Sequence, residues 1–125
     1  MYLIFDTETT GLPQNWKAPL TDFNNWPRCV QLAWQVHDVE GKMIEVKNYI
    51  IKPEGYDIPF NAEKIHGIST DRANKQGTSL NVVLAEFVKD VQKCKFVVGH
   101  NVSFDNSIVG CELLRKDMPN LLADF

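Results

Sequence analysis

The chain has 125 residues, 44% hydrophobic and 23% charged, a balance that supports one globular domain at most and excludes a wholly disordered chain. A formal net charge of −3 gives no global basic field, which lowers the expectation of a nucleic-acid binder; metal ions gathered among acids would still attract a polyanion locally. No apolar run approaches membrane-spanning length, and the first strand starts by about Tyr2 with no room for a leader. Three scattered cysteines, Cys29, Cys94 and Cys111, suggest reduced thiols in a cytoplasmic protein without membrane association.

In chain order, Tyr2-Leu3-Ile4-Phe5 is a short strand pattern that Gly11-Leu12-Pro13 breaks, so Asp6 and Glu8 are expected at the strand's carboxyl edge and, by alternation, on one face. Residues 12–28, with Pro13, Pro19 and Pro27, form a long loop. Its Trp16 and Trp26 either stack a nucleobase or anchor the loop onto the core. Val30 to His37 alternates as a strand, and a tight connection through Glu40-Gly41 leads to Met43–Ile51, which together predict an antiparallel hairpin. His37 falls on the polar face with no ligand partner in view. A helical region is expected from about Asn61 to His66, stopped by Gly67, then a short turn capped by Ser69 or Thr70 and closed by Gly77.

Leu80, Val83, Leu84, Phe87, Val88 and Val91 recur at helical spacing, with Thr78 or Ser79 as the N-cap. Phe96-Val97-Val98 is continuously apolar, as expected for a strand in the middle of a sheet, and a further helix follows Ser103 until Pro119. His100 is assigned to structure. Leu121 to Phe125 then ends the chain without a closing element, which reads as cut short.

Two carboxylates on one strand face repel and raise each other's pKa unless a cation lies between them. An oxygen-only set of this kind suits Mg²⁺ or Mn²⁺ better than zinc. If the Phe96–Val98 strand lies parallel to the first, Asp105 emerges at the same sheet edge as Asp6 and Glu8, and three acids converge. With Asp6-Thr7-Glu8-Thr9-Thr10-Gly11 as a first motif, Asn101-Val102-Ser103-Phe104-Asp105 as a second, and Ile65-His66-Gly67-Ile68-Ser69 between them, the chain resembles the DEDD superfamily of 3′-5′ exonucleases, in its proofreading, epsilon-type group.

The resemblance implies an α/β, RNase H-like mixed β-sheet flanked by helices, with residues 1–125 forming a single, incomplete domain that lacks the family's last strand and helix. It further implies hydrolysis of the terminal phosphodiester at the 3′ end of single-stranded DNA or RNA, releasing nucleoside 5′-monophosphates. Two Mg²⁺ or Mn²⁺ ions would be held by Asp6, Glu8 and Asp105, with Asp6 touching both, and a DNA polymerase subunit is a conceivable partner. Thr9, Gly11, His66, Asn101 and Phe104 are the implied substrate-binding residues, although His66 is equally readable as bonding its own turn. The family's third motif, His or Tyr followed four residues on by Asp, is missing: only Tyr2 with Asp6 has the spacing, inside the first motif itself. The chain alone is therefore expected to be inactive or weak. A catalytically inactive binding module that keeps a metal site, and a purely structural cation site, stay open beside the nuclease reading.

Overall fold

The computed structural model describes residues 1–99 and 101–125, so the assignment of His100 lies outside the described residues. Strand β1 (Tyr2–Thr9) is followed by β2 (Cys29–His37) and β3 (Met43–Ile50), helices α1 (Phe60–His66), α2 (Thr70–Gln76) and α3 (Leu80–Val91), strand β4 (Phe96–Gly99) and helix α4 (Val102–Arg115). The sheet order is β3-β2-β1-β4, antiparallel except where β1 and β4 run parallel. This is the expected RNase H-like mixed sheet flanked by helices.

Alternation along the strands builds the core. Leu3, Phe5, Leu32, Trp34 and Val36 turn to one face, where Leu80, Val83, Leu84, Phe87 and Val91 of α3 and Ile108, Val109 and Leu113 of α4 cover them. Trp34 meets Phe87 edge to face at 5.2 Å between centroids. A second apolar cluster seats α1 and α2 through Ala62, Ile68 and Ala73 on Val30. Gly67 ends α1 at φ 76°, a left-handed position that disfavours a side chain, and Ser69 caps α2 by accepting from the Arg72 amide.

Pairing with β2 carries β1 to Thr9, so the acids lie at its carboxyl end as expected, with Asp6 opposite Ala33 and Glu8 opposite Gln31. Other expectations change. β4 lies at the sheet edge, not in its middle, with Phe96 and Val98 exposed; an apolar run this short cannot specify how many neighbours a strand has. Ser79 occupies the N-cap of α3 without a side-chain capping bond. Leu121–Asp124 forms a 3-10 turn that packs Leu122 into the core.

Candidate active site

The site grows from the pleat of β1. Thr7 faces inward with Leu3 and Phe5, while Asp6 is exposed and Glu8 half-buried on the opposite face. β4 pairs with β1 only as far as Phe5 with Gly99, so beyond that point the first turn of α4 takes the place of a neighbouring strand. Asp105, in that turn, is 3% exposed. The Thr7 hydroxyl donates to its Oδ1 at 2.6 Å, a buried bond across 98 residues of sequence. Its other oxygen, Oδ2, is buried with no hydrogen-bond partner among the described residues.

Burial raises the Asp105 carboxyl above its ordinary range, the Thr7 hydroxyl bond opposes that, and the Asp6 charge adds to the rise. Burial likewise pushes Glu8 up, reinforced by Asp6 and then by Asp105, with His66 pulling the other way. The three acids therefore feel one another, as the parallel pairing of β1 and β4 predicts. They are not drawn into a closed chelate: no three His, Cys, Asp or Glu side chains among the described residues form a cluster able to hold a metal ion. The donor chemistry nevertheless fits a hard cation. All three groups are carboxylates, and a buried, unpartnered carboxylate oxygen is an acceptor that such an ion satisfies.

Next to the acids lies a cavity of about 470 Å³ whose lining includes Glu8, Thr9, Gly11, Leu12, Ile65, His66 and Phe104. Leu12 and Ile65 are exposed, so its walls are largely apolar. His66 accepts the Ile68 amide at Nδ1, 3.1 Å, which leaves Nε2 to donate to the Thr9 carbonyl at 3.2 Å. The ring thus bonds its own turn and also ties α1 to the end of β1. The Thr9 hydroxyl donates to the Gly11 carbonyl at 2.8 Å, and a Cβ at Gly11 would meet nothing within 4 Å. Asn101 stands apart: it is exposed, does not line the cavity, and offers its backbone carbonyl to the Asp105 amide. His37 lies stacked on Tyr2 with 5.0 Å between ring centroids.

The two loop tryptophans divide. Trp26 is 4% exposed and its indole N–H donates to the Pro19 carbonyl, so it anchors the loop. Trp16 is 55% exposed and packs on Phe104 with 5.5 Å between centroids. Sequence reasoning missed Thr7 and Leu12 and named Ile65 only within the Ile65–Ser69 signature. Thr7 carried a signal, since alternation puts a hydroxyl inward between two outward acids; Leu12 carried none, because a loop residue shows no period.

A mixed sheet in this order, with acids on one strand and on the helix that follows its parallel neighbour, defines the RNase H-like DEDD 3′-5′ exonuclease superfamily. The chain belongs to it: the RNase T exonuclease family model matches residues 3–124. The DNA polymerase III epsilon subunits of Rickettsia felis and Rickettsia conorii are each 30% identical over 113 residues, covering 89% of this chain and 43% of theirs. Exonuclease I of E. coli, solved with a dT13 oligonucleotide, superimposes with a TM-score of 0.78 at 24% identity, over 96% of this chain and 25% of that one. The chain thus spans less than half the length of these relatives.

Proposed function

We propose that this chain carries the first two motifs of a metal-dependent 3′-5′ exonuclease that hydrolyses the terminal phosphodiester of a single strand, DNA or RNA, and releases nucleoside 5′-monophosphates. One observation carries the reading: the buried 2.6 Å bond from Thr7, which lies between the two first-motif acids, to Asp105 of the second motif, beside an apolar cavity. A pure binder of polyanions has no use for three acids there.

Asp6, Glu8 and Asp105 are the residues assigned to hold the ions. Bound Mg²⁺ or Mn²⁺ supplies the positive charge that screens a phosphate from these acids and makes water a better nucleophile. The apolar walls at Leu12, Ile65 and Phe104 take the terminal nucleoside. Open space at Gly11 admits close approach of its backbone. Trp16, exposed on Phe104, offers a ring for a neighbouring base. Single-strand binding is the printed property of E. coli Exonuclease I, and the epsilon relatives support a polymerase as partner. Three unbridged, buried cysteines suit a reducing cytoplasm, and no helix among the described residues is long and apolar enough to cross a membrane.

The decisive assay follows release of label from a 3′-labelled single strand by the native protein that carries this chain, with Mg²⁺ or Mn²⁺. Stepwise release that Asp6→Ala abolishes is the expected result. No release, with metal-dependent binding of the strand intact, would establish the inactive binding module instead.

A further inference from the structure

We infer that Thr7 is a positioning residue for the metal site, holding Asp105 by one oxygen so that the other is reserved for the cation. This rests on the metal reading above and deepens it. Alternation along β1 turns Thr7 away from Asp6 and Glu8 and into the core, where it is 8% exposed. There its Oγ1 donates to Asp105 Oδ1 at 2.6 Å. Asp105 Oδ2 is buried and has no hydrogen-bond partner among the described residues, an arrangement that proteins tolerate where a further partner is expected. Carboxylates that ligate metals are themselves hydrogen-bonded, and loss of such a support typically weakens metal affinity 10–100-fold. A threonine whose hydroxyl merely packed the helix onto the strand would not need to leave one carboxylate oxygen free.

The test is direct Mn²⁺ binding by calorimetry in the native protein that carries this chain, with melting temperature measured alongside. Thr7→Val keeps the shape and removes the donor; affinity should fall about 10–100-fold. Thr7→Ser keeps the donor and should bind within about threefold of the parent, since only a methyl group is lost. Should the valine variant fail to fold by circular dichroism, Thr7→Ala answers the same question. Parent-like affinity in the valine or alanine variant, or a serine variant as weak as they are, overturns the inference and leaves the metal reading standing. No Mn²⁺ binding in the parent overturns both.

Discussion

Two uncharged residues, Thr7 and Trp16, lie close to the acidic strand end: Thr7 holds Asp105, and Trp16 packs on Phe104, which lines the cavity. The acids themselves were legible: Asp6 and Glu8 share a face because the strand period is two, and Asp105 had to emerge beside them once β4 ran parallel to β1. Thr9, Gly11, Asn101, Phe104 and the two loop tryptophans were named as well, but the contacts that sort them lie far apart in sequence: Trp26 anchors the loop while Trp16 packs, exposed, on Phe104. The loop that carries Trp16 is stapled by paired bonds between Asn15 and Asn25 and by the Trp26 anchor, so the Trp16 ring is presented on a fixed support. A ring so held stacks bases at small entropic cost. Trp16→Ala should weaken single-strand binding by about 1–3 kcal/mol, with Trp16→Phe retaining most of it. Equilibrium binding of a labelled oligonucleotide decides, and unchanged affinity in the alanine variant would return Trp16 to the loop's structure alone.

At the scale of elements, α4 must be aimed so that its first turn meets β1, and its far end supplies the aim. Glu112, 1% exposed, accepts from Arg28 Nε at 3.0 Å, from the Cys29 amide at 3.0 Å and from Arg115 at 2.6 Å. Arg115 in turn donates to the carbonyls of Phe23 and Trp26, joining the helix to the loop. One carboxylate thus ties α4 to the start of β2 and to the segment that presents Trp16. Removing it leaves two guanidinium groups and a buried amide short of a partner. Glu112→Ala should destabilise by about 3–5 kcal/mol, the usual consequence of breaking a buried ion pair. Chemical denaturation measures this, and amide exchange should rise at Asp105, seven residues away on the same helix. A loss below 1 kcal/mol would mean that hydrophobic packing alone aims the helix. The sequence signalled none of this: Glu112 looks like any other helical acid until its partners, more than eighty residues earlier, are folded beside it.

For the whole molecule, the opposing shifts of its acids set a pH dependence whose sign can be worked out. Glu8 and Asp105 are raised above their ordinary 4.5 and 3.8, so the folded state holds their protons more tightly than the unfolded chain. Stability contributed by these two groups is therefore full at low pH and is lost as pH rises through their raised values. Asp90 runs the other way. Burial opposes its charge, but the Trp34 indole N–H at 2.8 Å, Lys93 and Lys47 outweigh burial and hold it below 3.8, so its contribution exists above that pH and disappears on acidification. At neutral pH the fold accordingly bears the burial and, after it, the mutual repulsion of its site acids, while the core anion supports it. A divalent cation favours the charged forms at the site and leaves Asp90 untouched, so Mg²⁺ should stabilise the protein more at pH 7.5 than at pH 4.5, where protons compete for the same oxygens. At about one hundred times the dissociation constant the gain is about 2.7 kcal/mol, enough to raise the melting temperature by several degrees. Thermal melts with Mg²⁺ and with EDTA at both pH values test this. A shift of equal size at the two would place the ion away from Glu8 and Asp105, whose raised affinity for protons makes protons compete with the ion for the same oxygens.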